Sequence, residues 1–224
     1  MLSPEAKGAA WSVFAVLVTA AAFVVIAVCT ARAAVAAPHS CTGARAKLEA
    51  ASGNTRVLRR KLRPRDDETR REAVVVCWVP TGKRRTIVLE REFGDDLGMR
   101  TSIEIIGGRY VGVVVRTAGG EVEDISAELW DAKRLRKLHT TEACEGDPFG
   151  ETTGIGDVEF LPGGGMAFSC QRLLLFRRAS SRTAEELEPA GTNVGFLAVA
   201  GSDVSFLRLY WTRDGMPKSL DLRS

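Results

Sequence analysis

Five cysteines and two histidines are the residues of this 224-residue chain whose types are most often reactive. Four of the cysteines, Cys41, Cys77, Cys144 and Cys170, follow a long apolar amino-terminal stretch and show no Cys-x-x-Cys spacing. An even number of cysteines is typical of disulfide bonding when a domain folds in an oxidising compartment. We therefore predict the pairs Cys144–Cys170 and Cys41–Cys77. The sequence alone allows three connectivities, and buried reduced thiols are the alternative.

Cys170 lies in "GGGMAFSCQRLLLFRR", residues 163–178, which is typical of a strand after a tight glycine turn. Side chains two residues apart in a strand share a face, so Cys170 is expected beside Met166 and Phe168. That face carries large apolar side chains, and we expect the thiol to point into the buried side of the sheet. No neighbouring base or clear electropositive setting predicts a reactive thiol.

The histidines, His39 and His139, give little basis for catalysis. A Ser-His-Asp or Cys-His arrangement would have to use His139, and His139 with Cys144 has poor spacing for zinc. The chain contains no G-x-S-x-G, H-E-x-x-H, P-loop or G-x-G-x-x-G motif. We predict no catalytic residues, no metal site and no cofactor from these residues.

Two further groups of residues have both a functional and a structural interpretation. An acidic run could collect calcium in an extracellular loop, but it lacks the D-x-D-x-D-G spacing, and a solvated loop is favoured. Four aromatic residues could line a ligand surface, although aromatic side chains on alternating strands are usually core. The acidic run is Glu142, Glu145, Asp147, Glu151 and Asp157, and the aromatic residues are Trp78, Trp130, Tyr210 and Trp211.

The amino terminus predicts a membrane segment. Residues 9–31 carry no charge, and a helix of 23 residues would be about 34 Å long, enough to cross a bilayer core. The stretch is longer than a usual signal-peptide apolar region, but the small residues at 34–36 resemble a cleavage site. Residues 1–36 are therefore a signal peptide or a transmembrane signal anchor. Arg32, Arg45 and Lys47 favour the opposite orientation, yet the cleavage pattern favours an extracytoplasmic domain, membrane-anchored or secreted.

Charge is unevenly distributed along the chain. Residues 37–85 hold 13 Lys or Arg against 5 Asp or Glu, whereas residues 86–224 hold 16 against 22. The basic part is concentrated in residues 56–72, "RVLRRKLRPRDDETRRE", which could face an anionic membrane surface or nucleic acid or simply be solvated. The net charge of +3 is too small to indicate nucleic acid, and we expect no nucleic-acid partner.

The remainder predicts a mostly β protein. Residues 37–72 are interpreted as a polar and basic tether, with a short helix possible over "ARAKLEAA". Residues 73–224 are predicted as a β-rich domain, because short alternating apolar runs are separated by Gly- and Pro-containing turns. No long amphipathic period follows residue 55, which argues against an α/β fold.

A weak repeat runs through this domain. "IEIIGGRYVGVVVR", "VEFLPGGGMAFSC" and "FLAVAGSDVSFLRLYW" each read as strand, glycine-bearing turn and strand. "AELWDAKRLRKL" adds an aromatic–Asp pair before a basic turn, and this resembles a degenerate WD-type β-propeller blade. Over residues 73–224 the resemblance implies an antiparallel, propeller-like meander of three to four blades. A β-sandwich or open meander is the alternative.

Two functional classes follow. The first is a non-catalytic, envelope-associated binding or scaffold protein, which contacts the membrane through residues 9–31 and an unidentified protein or glycan through the β domain. The second is an extracytoplasmic hydrolase that uses paired carboxylates, because such pairs need no local motif. Two carboxylates that converge with raised pKa values would favour the enzyme, and we expect the binding protein.

Overall fold

Strands and turns make up the whole described part of the chain. The computed structural model describes residues 41, 45–65, 67–94, 97–119, 122–141, 155–170, 173–189, 191–201 and 207–222, all within the unit His39–Ser224. The predicted membrane segment, the signal region 1–36 and Cys144 lie outside these residues. Within the described ranges, no helix is long and apolar enough to cross a membrane. The prediction of a mostly β domain with antiparallel sheets is confirmed.

The first meander contains four antiparallel strands in chain order. Its strands are β1 (Ala46–Ser52), β2 (Thr55–Lys61), β3 (Arg70–Trp78) and β4 (Lys83–Phe93). Strand β2 pairs with β3 without a register break from Thr55↔Trp78 to Lys61↔Glu72. The β1–β2 turn contains Gly53, whose φ of +50° suits a residue without a side chain.

The second meander continues the same hydrogen-bonded sheet. Its strands are β5 (Leu97–Ile106), β6 (Tyr110–Gly119), β7 (Val122–Asp131) and β8 (Arg136–Thr140). Strand β5 pairs with β4 at only two positions, Glu92↔Gly98 and Phe93↔Leu97. At its other end β5 leads into a turn where Gly108 contacts Gly53 of the β1–β2 turn. Strand β5 therefore runs across the face of the first meander.

Two smaller sheets complete the described fold. The third meander has the order β12-β11-β10-β9, and the terminal sheet has the order β13-β14-β15. Their strands are β9 (Ile155–Phe160), β10 (Met166–Cys170), β11 (Leu173–Arg177), β12 (Glu185–Glu188), β13 (Val194–Ala200), β14 (Arg208–Arg213) and β15 (Met216–Asp221). Every strand pair in both sheets is antiparallel. The described strands thus form three sheets, and none of them closes into a barrel or a propeller.

Three apolar clusters pack these units against one another in chain order. The first joins valines of β2, β3 and β4 to Val111, Val113 and Trp130 of the second meander. The next joins Leu129 and Ala127 of β7 to β9 and β10, and the last joins β10 and β11 to the terminal sheet. Each face-to-face contact removes apolar side chains from water, which is the main favourable term in folding.

Strand β10 is buried on both faces. Met166, Phe168 and Cys170 lie in the cluster shared with the second meander, as the alternation predicts. Ala167 lies on the opposite side and packs against the terminal sheet. The predicted orientation of Cys170 is confirmed.

The β structure begins earlier than the sequence indicates. The region interpreted as a tether, residues 37–72, contains β1 and β2, and the segment considered for a short helix contains β1. Strands β1 and β2 form because their side chains contact residues far away in the sequence. The apolar and charged side chains of β2 pack on β3, β4 and β5, and these contacts override the local preference of a polar segment.

We predict that Gly112→Ala destabilises the protein by about 1–3 kcal/mol, the usual cost of overpacking a core. A Cβ added at Gly112 would lie 2.3 Å from Cδ2 of Phe160, which joins the second and third meanders. Urea unfolding of the purified protein measures the change. Gly98→Ala is the control, because its nearest contact would be Cγ of Glu92 at 3.6 Å. Equal stabilities of the two variants would contradict the packing.

Candidate functional site

The outer side of the first meander carries a basic surface. Val57, Val74, Val76 and Val88 point into the core against the second meander, so alternate residues of the same strands face outward. Cross-strand partners share a face, which places Arg56, Cys77 and Arg84 in one row and Leu58, Val75 and Thr86 in the next. We call this surface the arginine face, and it consists of Arg56, Leu58, Arg60, Val75, Cys77, Arg84 and Thr86.

A cleft of about 300 Å³ lies on the arginine face. Its floor contains the apolar side chains of Leu58 and Val75, and Arg60 and Arg84 stand at its sides. The lining residues are Ala46, Leu58, Arg60, Val75, Arg84, Arg85 and Thr86. Guanidinium groups bind carboxylate and phosphate oxygens through paired hydrogen bonds, and they remain charged at any physiological pH. The lining contains donors for an anion and no acid–base pair for catalysis.

A disulfide closes one end of the arginine face. Cys41 is bonded to Cys77, with 5.9 Å between their Cα atoms and a separation of 36 residues along the chain. Cys77 is fully buried and pairs across the sheet with Arg56 and Arg84. The predicted Cys41–Cys77 pair is confirmed, and it fixes the chain that precedes β1 to the arginine face.

Cys170 is also a disulfide-bonded cysteine. Its partner sulfur lies outside the described residues, because Cys41 and Cys77 are bonded to each other. The Cys144–Cys170 pairing therefore stays a prediction. Whichever cysteine is its partner, Cys170 is a buried, disulfide-bonded residue and not a free thiol.

The opposite side of β2 contributes to a buried charge cluster. Arg59 contacts Glu49 at 2.7 Å and Glu72 at 3.4 Å, and it also pairs with Glu90. Its hydrogen bond with Glu49, against the effect of burial and with help from the charge of Glu90, raises the pKa of the guanidinium. Glu90 accepts a hydrogen bond from the backbone N–H of Thr101 at 3.0 Å, so the cluster connects β2 and β4 to β5.

The cluster continues through Arg70. This side chain contacts Glu72 at 2.8 Å and Glu92 at 2.9 Å. The hydrogen bond from Arg70, helped by the charge of Arg59, lowers the pKa of Glu72 although burial opposes the shift. The described glutamates of the first meander are therefore committed to Arg59, Arg70, Arg71 and Arg91.

The aromatic–Asp pair of "AELWD" has a structural role. Asp131 is 1% exposed and binds Arg109 through both carboxylate oxygens, at 2.7 and 3.2 Å. Burial alone would raise its pKa, but hydrogen bonds from Arg109 and from the backbone N–H groups of Arg134 and Lys133 hold the pKa below its usual value.

Trp130 and Trp211 are buried and Trp78 packs against the first core cluster, whereas Tyr210 is exposed. The core interpretation holds for the three tryptophans.

His139 stands in a buried position beside Arg177. Burial lowers the pKa of the imidazole, and the charge of Arg177 lowers it further. The Nε2 atom of His139 is buried without a hydrogen-bond partner among the described residues. Cys144 lies outside those residues, so the structure describes no zinc pair for His139. Within the described part of the chain, no group of three or more His, Cys, Asp or Glu side chains could hold a metal ion.

Three carboxylates come together away from the arginine face. Burial raises the pKa of Glu159, and the charges of Glu104 and Asp157 raise it further. Asp157 is the only member of the predicted acidic run within the described residues, and its side chain is exposed. None of these three carboxylates lines the cleft on the arginine face.

Sequence reasoning missed the arginine face as a built surface. The signal was the alternation in "RVLRR", which separates Arg56, Leu58 and Arg60 from Val57 and Arg59. Arg84 joins them only through the strand register. No protein-family model, curated protein or solved structure matches this chain.

We predict that the double variant Cys41→Ala/Cys77→Ala loses about 4 kcal/mol of unfolding free energy, from the chain-entropy estimate for a loop of this length. Urea unfolding without reductant measures the loss. Ser180→Ala is the control and should leave the stability unchanged, because this side chain is exposed. A loss below about 1 kcal/mol in the double variant would contradict a stabilising role for the bond.

Proposed function

We propose that this protein is a non-catalytic binding or scaffold protein of the cell envelope, held at the membrane by residues 9–31 and presenting its β-rich domain outside. The observation that carries the proposal is the Cys41–Cys77 disulfide. Structural disulfides persist in oxidising compartments and are rare in reducing ones. A second disulfide-bonded cysteine, Cys170, supports the same compartment.

The disulfide also bears on the orientation of the membrane segment. Cys41 follows Ala31, the last residue of the uncharged stretch, by ten positions. A cysteine that close to the membrane is oxidised on the side to which the domain is delivered. The bond therefore supports export, although the basic residues that flank the segment favour the opposite orientation.

The stacking of sheets supports a propeller-like arrangement. Three successive meanders have four antiparallel strands each, and the terminal sheet has three. Each unit packs face to face on the next in chain order. This is how blades of a propeller are related, and we propose an open array of three complete blades and one incomplete blade of the WD type. A β-sandwich of the first two meanders is the alternative description.

The arginine face is the binding surface in this proposal. Its cleft has arginines at the sides and an apolar floor, which suits an anionic partner with some apolar surface. A protein or glycan that carries carboxylates, sulfates or phosphates would meet the same donors. The absence of an acid–base pair in the lining is consistent with binding without turnover.

A carboxylate-dependent hydrolase is the second candidate. The raised pKa of Glu159 favours it, because a carboxyl group that keeps its proton near carboxylates can act as a general acid. Glu159→Gln should then abolish hydrolysis of chromogenic glycosides or esters, while Glu185→Gln should not. Absence of turnover by the wild-type protein would remove this candidate.

The topology of the full chain tests the main proposal. We expect alkaline phosphatase fused after Ser224 to be active and a cytoplasmic reporter at the same site to be silent. The wild-type fusion should sediment with membranes. Leu17→Arg/Val25→Arg should release it or block its export, since charges at the centre of the span disfavour insertion.

The control replaces Ala21 with Leu, which keeps the segment apolar and should keep the fusion in the membrane. An active cytoplasmic reporter, or unchanged membrane fractionation of the arginine variant, would contradict the proposal.

A further inference from the structure

We propose that the arginine face docks on an anionic lipid surface, with Arg60 and Arg84 binding phosphate groups of the lipid headgroups. This inference rests on the proposed function, because the membrane in question is the one that holds residues 9–31. It adds a second contact between the protein and that membrane, through the folded domain itself.

The meander that carries the arginine face has an excess of positive charge. Its described residues, 45–65 and 67–93, include fourteen Lys or Arg and six Asp or Glu. The five glutamates among those acids are already bound to Arg59, Arg70, Arg71 and Arg91. Fourteen basic and six acidic residues give the meander a net charge of +8, and negatively charged headgroups complement that charge.

The arginine face combines basic and apolar groups on the same side of the sheet. Leu48 of β1 pairs across the sheet with Leu58 and is 53% exposed, so it projects from the arginine face. Farther along β4, Leu89 and Phe93 border an apolar groove of about 470 Å³, which Met99, Thr117 and Ala118 of the second meander also line. Leu89 pairs with Ala73, two positions before Val75, and so belongs to the same side. Surfaces that combine cations with apolar side chains bind at the headgroup boundary of a bilayer.

The tether joins the folded domain at the arginine face. The Cys41–Cys77 bond attaches the preceding chain to the end of the arginine face. The ten residues from Ala31 to Cys41 reach at most about 35 Å when fully extended. A short linker of this kind raises the local concentration of headgroups at the face to the millimolar range. The disulfide thus fixes the folded end of the tether to this face.

An acidic protein or glycan could bind the same arginines, but the position of the tether favours the lipid surface. The cleft, Leu48 and the attachment point of the tether lie on one sheet face, and the proposed membrane segment keeps a bilayer within reach of that face. A soluble anionic polymer would gain nothing from Leu48 or the apolar groove.

Vesicle flotation of the full chain tests the docking. The chain carries Leu17→Arg/Val25→Arg, so that the amino-terminal segment does not anchor it and only surface contact is measured. Vesicles of phosphatidylcholine alone are compared with vesicles of phosphatidylcholine and phosphatidylglycerol at 7:3. We expect at least tenfold stronger partitioning to the anionic vesicles at low salt, and loss of this preference at high salt.

The decisive comparison is between two charge-matched variants. Arg60→Gln/Arg84→Gln on the arginine face should weaken partitioning at least tenfold, given about fivefold for each cation at the surface. Arg136→Gln/Lys218→Gln removes the same charge from exposed positions on β8 and β15 and should change partitioning less than twofold. Circular dichroism and titration of free thiols verify that each variant is folded and oxidised.

Equal partitioning to neutral and anionic vesicles would overturn the inference, and so would equal losses in the two charge-matched variants. Capture of an acidic protein or glycan in place of the vesicles would overturn it in favour of that partner. These failures are distinct from failure of the proposed function. That failure appears as a cytoplasmic reporter signal from the wild-type fusion, whatever the vesicles bind.

Discussion

The charge cluster around Arg59, together with the apolar cluster beside it, holds the first two meanders together. Backbone pairing between β4 and β5 covers two residue pairs, so side chains must hold the two meanders together. Arg59 reaches Glu72 and Glu90, and Glu90 in turn binds Thr101 of β5. Removal of one partner from a buried ion pair leaves an uncompensated charge, which is far more costly than the net worth of the pair.

The same cluster determines what the outside of the sheet presents. Because strands alternate, the inward position of Arg59 sends Arg56, Leu58 and Arg60 outward. A register slip by one residue would bury those two arginines and expose Arg59 with Val57. Glu72 and Glu90 pair with Arg59 on the inward side, whereas Glu68 pairs with Arg71 and Arg91 on the outward side. The buried cluster and the exposed basic surface are two results of one strand register.

The sequence predicted much of the local structure but not the partners of the polar strands. Short apolar alternations predicted the hairpins, and the spacing of Met166, Phe168 and Cys170 predicted the buried face of β10. Parity of the cysteines predicted the Cys41–Cys77 bond. By contrast, β1 and β2 have the composition of a solvated tether, and the contacts that stabilise them come from distant residues such as Glu90 and Thr101, which lie 31 and 42 positions from Arg59. The arginine face could not be predicted either, since it requires the register that brings Arg84 beside Cys77.

The proposed membrane contact depends on three features: an uncharged segment, a short tether fixed by a disulfide, and a basic sheet face at the point of attachment. Photo-cross-linking of the wild-type chain in anionic vesicles tests this most directly, with a phosphatidylglycerol that carries the reactive group in its headgroup. The account predicts that cross-linked peptides come from residues 46–61 and 83–91. Cross-links concentrated in the terminal sheet, residues 194–221, or spread evenly over the domain would contradict it.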